Sequence, residues 1–285
     1  MNRLVGAVAA TLVVALALAA CGGGSTATIG VAPDRPRSGP QGAVGQFAVR
    51  CDWSHSSFDD PIVHPGHGGR SHRHDFFGNV TTDADSTYDE LRAGDTTCTQ
   101  RLDTATYWAP SLLGADGRPV QPVGATAYYR TGALVDPQPL EAYPPGLMMV
   151  AGDAAATAAQ PTSVIAWACG AGGRREPVPP TCGSTVGLRL LVTFADCWDG
   201  RRIDSSDHRS HVAYSHAGNC PTEHQTAIPQ LQFAIDYPPI DPDGLSLASG
   251  PLETAHADFW NAWDQRKLET EVEVCLRRQQ VCSLG

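Results

Sequence analysis

The stretch Leu188-Arg189-Leu190-Leu191-Val192-Thr193-Phe194 sets Leu188, Leu190, Val192 and Phe194 at every second position. A period of two puts those four side chains on one face of an extended strand. Short runs of the same kind recur outward from it, at 42–51, 106–113, 123–129, 147–151, 164–169, 211–214 and 228–237. Proline- and glycine-rich turns separate them. Many short strands joined by long loops predict a mainly β chain, a single β-sandwich or jelly-roll-like domain. Residues 52–100 read mostly as loop, punctuated by Pro61, Pro65, Gly66, Gly68, Gly69 and Gly78, with a short helical turn at 87–93. One C-terminal helix is expected over 254–275. Thr254 would cap it, and Phe259, Trp260, Trp263, Leu268 and Val272 recur near helical spacing. His256 and Asp258 would then sit at its start, where the helix dipole favours a carboxylate or a bound anion.

The N-terminus reads as a targeting segment. Met1-Asn2-Arg3 is followed by an apolar run from Leu4 to Ala20, short for a membrane span. Leu18-Ala19-Ala20-Cys21 resembles a bacterial lipobox, which implies a signal peptide at 1–20 and lipid on Cys21. Residues 21–42 read as a flexible tether rich in Gly, Ser, Thr and Pro. The folded domain is expected over 43–285, on a protein anchored outside the cytoplasmic membrane.

Nine cysteines divide into Cys21 and an even set of eight. An even set in an exported chain reads as disulfides. Sequence order suggests Cys51–Cys98, Cys169–Cys182, Cys197–Cys220 and Cys275–Cys282, each contributing roughly 2–4 kcal/mol. No CxxC pair points to a structural zinc site. The net charge of −10, with Lys267 the single lysine, argues against nucleic acid or an anionic membrane surface as partner. It leaves neutral or cationic partners and metal ions.

Three segments pair imidazole with carboxylate: Ser71-His72-Arg73-His74-Asp75, the loop from Asp204 through Asp207-His208-Arg209-Ser210-His211 to Tyr214, and His256-Ala257-Asp258. His72 and His74, two apart on extended backbone, point to one side. His208 and His211 are three apart, a spacing that converges in a helical turn or tight loop. The expectation is that His72, His74, His208, His211 and His256 surround one cavity, with Asp75, Asp204, Asp207 and Asp258 beside them. Two chemistries fit. The histidines could hold a divalent metal such as zinc, the carboxylates serving as oxygen ligands or orienting the rings. Without metal, the aspartates with a histidine could do general acid–base work on a glycosidic bond, with Tyr214 as base in a lyase. His55, His64, His67, His216 and His224 are assigned to surface or structural roles. Trp53, Trp108 and Trp198 are candidates for a glycan-stacking platform. Serine-nucleophile, Walker, Rossmann and HExxH signatures are absent.

Six strings together resemble the family of exported bacterial and fungal proteins called domain of unknown function 1996. They are Ser71-His72-Arg73-His74-Asp75-Phe76-Phe77-Gly78-Asn79, Tyr107-Trp108-Ala109-Pro110, Tyr143-Pro144-Pro145-Gly146-Leu147, Cys197-Trp198-Asp199-Gly200, Asp207-His208-Arg209-Ser210-His211-Val212-Ala213-Tyr214 and His256-Ala257-Asp258-Phe259-Trp260-Asn261. The likeness spans about 46–276 and implies an extracytoplasmic domain but no reaction. Carbohydrate-binding modules appended to fungal relatives point, by analogy, to a glycan or cell-wall polymer. Two roles follow: an enzyme, hydrolase or lyase, acting on such a polymer, or a module that binds glycan or metal without turnover.

Overall fold

The computed structural model describes Met1 and residues 37–39, 42–132 and 140–283. The expected signal peptide, the anchor at Cys21 and most of the tether lie outside the described residues. By internal contacts the chain divides into Met1–Pro33 and Asp34–Gly285, and the fold is that of the second unit. Among the described residues no helix is long and apolar enough to cross a membrane.

The fold is a two-sheet sandwich. Eleven strands carry it: β1 (Gln46–Cys51), β2 (Trp53–Ser57), β3 (His74–Gly78), β4 (Thr106–Pro110), β5 (Gly124–Arg130), β6 (Met148–Gly152), β7 (Ile165–Cys169), β8 (Leu188–Thr193), β9 (Gln230–Asp236), β10 (His256–Trp260) and β11 (Val281–Ser283). Six form one sheet in the order β7-β8-β9-β5-β1-β11, and five form the other in the order β2-β3-β4-β10-β6. All pairings within the two sheets are antiparallel except β11 with β1.

Alternation builds the core between the sheets. Leu188, Leu190 and Val192 of β8 turn inward beside Phe47, Tyr129 and Phe233. Phe77, Tyr107 and Phe259 face them from the five-stranded sheet, with the Phe233 ring 5.4 Å from Phe77 and 5.3 Å from Tyr107. Each such fully buried side chain contributes about 1.5–3 kcal/mol. A buried polar chain also ties the layers: the Tyr107 hydroxyl donates to Asp103, 2.9 Å away, and Trp263 Nε1 donates to the Tyr129 hydroxyl at 3.0 Å. Burial pushes the Asp103 carboxyl up to about 8, so it is protonated at neutral pH.

The outer face of the five-stranded sheet is also covered. Phe76, Trp108 and Trp260 form a second cluster there with Ile62, Leu91 and Ala262. Leu91 lies on helix α1 (Tyr88–Ala93), capped by Thr87 in a capping box with Glu90. The segment preceding β3 lies over this face, as does a disulfide-closed loop. That loop rests on a small sheet in which Cys197–Trp198 pairs with Val212–Ala213 and Thr226–Ala227. The four disulfides are the four sequential pairs.

The C-terminal helix is shorter than expected. α2 runs Gln265–Glu271, capped by Asp264, and passes into a π-helical turn at Val272–Arg277. Residues 256–260, expected as its first turns, form β10 instead. Ala257 and Phe259 face the core while His256, Asp258 and Trp260 face the other way. The apolar spacing in this segment satisfied both periods, and pairing on both sides with β4 and β6 selected the strand.

Candidate functional site

The site sits on the outer face of the five-stranded sheet, beside the second aromatic cluster. β3 projects His74 there, next to Phe76, and β10 projects His256 and Asp258. His72 reaches in from the chain just before β3. The ring centroids of His72 and His74 are 4.2 Å apart, those of His72 and His256 5.1 Å, and those of His74 and His256 5.8 Å. One ring nitrogen from each of the three lies within 4.8 Å of the others, and Asp60, His74 and Asp258 meet the same condition. Gly152, opposite His256 in the register, has φ +84°. A Cβ there would lie 2.8 Å from the His256 Cα, so only glycine lets β6 approach this rung.

Hydrogen bonds set the tautomers. His74 Nδ1 lies 2.9 Å from the carbonyl of Asp59, and His256 Nδ1 lies 2.8 Å from that of Thr254. A carbonyl only accepts, so both Nδ1 atoms carry hydrogen and both Nε2 atoms present a lone pair. The Nε2 atoms of His72 and His74 are buried without a partner, as are both carboxylate oxygens of Asp258. Four such orphans on one face would cost several kcal/mol if nothing satisfied them. Burial, reinforced by the neighbouring imidazoles, holds His74 and His256 down to about 3. Burial also lowers His72. The three rings are therefore neutral, the form that ligates metal. Burial and then the adjacent Asp60 push Asp258 well up.

His72, His256 and Asp258 open into a pocket of about 360 Å³ also lined by Asp60, His64, Arg70, Asp207, His208 and Arg209. His208 Nδ1 lies 3.0 Å from each carboxylate oxygen of Asp204, which leaves Nε2 as its free nitrogen. His208 takes a left-handed backbone, φ 56°, a conformation costing a non-glycine residue about 1 kcal/mol. The loop around it is tied down. Asp207 accepts from the backbone N–H groups of Ser210 and Arg209 and from the Ser205 hydroxyl, which holds its carboxyl well below the usual range.

The expected cluster thus divides. His72, His74 and His256 come together, Asp258 joins His74, and Asp207 and His208 line the same pocket, with Asp204 bonded to His208. His211 is not free to ligate. Its Nε2 donates to the Met148 carbonyl at 2.7 Å and its Nδ1 lies 2.9 Å from the Ser205 hydroxyl oxygen, so it pins the loop to the start of β6. Tyr214 donates to the Thr193 carbonyl at 2.8 Å and does not line the pocket. Asp75 lies on the opposite face of β3 from His74, held by Ser56 at 2.6 Å and Arg73 at 3.2 Å, because neighbours along a strand point apart. No aromatic platform forms in the pocket: Trp108 is fully buried, and Trp53 and Trp198 lie elsewhere. Sequence reasoning passed over Asp60 and set His64 aside. Asp60 accepts the backbone N–H groups of Ile62 and Val63 at 3.1 and 3.0 Å, a turn that the string Asp59-Asp60-Pro61 could have signalled.

A family model described as domain of unknown function, DUF1996, matches residues 60–263. No curated protein and no solved structure matches the chain.

Proposed function

The chain belongs to the DUF1996 family, and, that family being one of unknown function, we propose from the site itself that the protein is a divalent-metal-dependent hydrolase. Its substrate, on this reading, is a cell-envelope or extracellular polysaccharide. One observation carries the proposal: His72, His74 and His256 bring ring nitrogens within 4.8 Å of one another, Asp60 and Asp258 do the same around His74, and the Nε2 atoms of His72 and His74 and both Asp258 oxygens are buried and unpartnered beside an open pocket. Three neutral imidazoles with carboxylate oxygens suit zinc or another first-row ion. His72, His74 and His256 would hold it, with Asp258 or Asp60 as oxygen ligand. A cation held there would supply Lewis acidity towards a substrate oxygen. His208, which lines the same pocket, and Asp204 on its Nδ1 form the histidine–carboxylate pair that would move a proton to or from the reacting group, Nε2 being the nitrogen left for it. The purely metal-free reading asked for aspartates bonded to the imidazoles. Of the pocket histidines only His208 has that bond, while His74 and His256 use backbone carbonyls.

Four disulfides support an oxidising compartment. The proposed location is outside the cytoplasmic membrane, anchored by lipid at Cys21. Replacing Cys21 with Ala tests this: unchanged membrane retention removes the anchor.

The function is tested by elemental analysis of purified protein, followed by reducing-end assay of the metal-loaded protein on a polysaccharide panel. One equivalent of metal, lost in His74→Ala, with product formation lost in His208→Ala, is expected. Metal without product on any polymer supports a non-catalytic binding module. No metal at all overturns the centre.

A further inference from the structure

A second pocket lies on the outer face of the six-stranded sheet and owes nothing to the metal reading. β5 presents Tyr128 and Arg130 there, β8 presents Arg189 and Leu191, and β9 presents Gln232. The loop from Gly170 to Arg175, rooted by the Cys169–Cys182 bridge, walls the other side of a space of about 350 Å³.

Three arginines line it and no acidic residue does, in a chain of net charge −10. They are not equivalent. Arg189 is neutralised by a two-pronged ion pair with Asp236, at 2.6 and 2.7 Å. Among the described residues Arg130 has no carboxylate partner. Its Nε donates to Gln46 Oε1 at 2.7 Å, its Nη1 to Gln232 Oε1 at 2.8 Å, and its carbon lies 4.8 Å from the centre of the Tyr128 ring. Arg175 makes no ion pair among the described residues, although Arg174 beside it pairs with Glu176 at 3.1 Å. Arg130 and Arg175 are close enough that the charge of the second, after burial, lowers the first. Two like charges left facing one cavity, one of them pre-aligned by amide oxygens, are relieved by an anion.

We propose that this pocket binds an acidic sugar unit, the carboxylate seated between Arg130 and Arg175 and the ring filling the remaining space. Planar guanidinium groups match a carboxylate two-pronged, and the volume suits one sugar ring where a bare inorganic anion would fill a small part of it.

The test is titration of the full chain, freed of metal by dialysis so that the histidine site does not contribute, with glucuronate, inorganic sulfate and glucose at low ionic strength. Saturable glucuronate binding is expected, at least tenfold tighter than sulfate or glucose and weakened by added salt. Arg175→Ala, on an exposed loop, should weaken it at least tenfold, and Arg130→Gln should do the same with an unfolding midpoint matching wild type. Glucuronate bound no better than glucose, or unaffected by Arg175→Ala, overturns the proposal. Sulfate bound as tightly as glucuronate overturns the sugar and leaves an adventitious ion only.

Discussion

Phe76, Trp108 and Trp260, on the outer face of the five-stranded sheet, are as buried as the core behind them. The corresponding face of the six-stranded sheet carries Ala166, Ala168, Leu191 and Ala234, with Tyr128 half-buried beside them. Large side chains outside one sheet demand a covering, and the covering chain brings Asp60, His64 and His72 on one side and His208 on the other. Small side chains outside the second sheet need little cover, and a single loop suffices to wall a pocket. In this fold the more deeply buried sheet therefore hosts the denser polar chemistry, because among the described residues only there does folding place unsatisfied imidazoles and carboxylates away from water.

The comparison breaks first on metal. His256→Ala or Asp258→Ala is expected to weaken zinc binding by 100-fold or more, measured by competition with a chromophoric chelator. Arg175→Ala should leave it unchanged. Equal loss in all three variants would mean the two outer faces are not separate sites.

Packing gives the next largest difference. Phe76→Ala should cost about 3–5 kcal/mol in urea unfolding, as for a core residue. Tyr128→Ala, half-buried on the other sheet, should cost less than half as much. Similar costs would erase the distinction between a doubly covered and a singly covered sheet.

Acid sharpens it further. Unfolded, His74 and His256 titrate near 6.5; folded, they are held to about 3. Above pH 6.5 both states are neutral and no proton-linked term arises. As pH falls from 6.5 towards 3 the unfolded chain binds the extra protons. Metal-free protein then loses stability by at most about 1.4 kcal/mol per histidine per pH unit. Asp258, raised by burial and by Asp60, works the other way: its penalty grows as pH rises above the carboxylate range and the unfolded chain ionises. Acidification from pH 7 to pH 5 should lower the urea midpoint of wild type relative to that of the His74→Phe, His256→Phe double variant, which keeps only the opposing carboxyl contributions. An equal shift in the two proteins would place the acid sensitivity outside this face.

The same contrast explains what could be read from the chain. Strands β5, β8 and β9 showed themselves because one face is apolar and the other is not. Strands β3 and β10 hid. In His74-Asp75-Phe76-Phe77-Gly78 and His256-Ala257-Asp258-Phe259-Trp260 polar and aromatic side chains share the same face, His74 with Phe76 and His256 and Asp258 with Trp260, so the sequence shows no alternation of apolar and polar positions. One was read as loop and the other as helix. Their histidines were still found, because His72 and His74 sit two apart whatever the element, and because imidazole beside carboxylate is conspicuous in any conformation. His211 and Tyr214 carried the same chemical signature, but their polar atoms are spent on the carbonyls of Met148 and Thr193, partners far away in sequence. Asp60 hid for the opposite reason: its role depends on a turn lying across a sheet that local patterning did not reveal.

The Cys197–Cys220 bridge closes the segment that carries Asp204 and His208, whereas His72, His74 and His256 depend on the sheet and the chain leading into it. Replacing both cysteines with serine should cost roughly 2–4 kcal/mol, keep zinc affinity within a few-fold and abolish turnover. Loss of metal together with turnover would show one inseparable unit. Biogenesis then has two milestones rather than one. A newly made chain could load its ion as soon as the sheet forms, yet stay chemically silent until an oxidant closes the loop. Such a protein would be harmless to the polymers of the compartment that makes it and armed only in the compartment where it works.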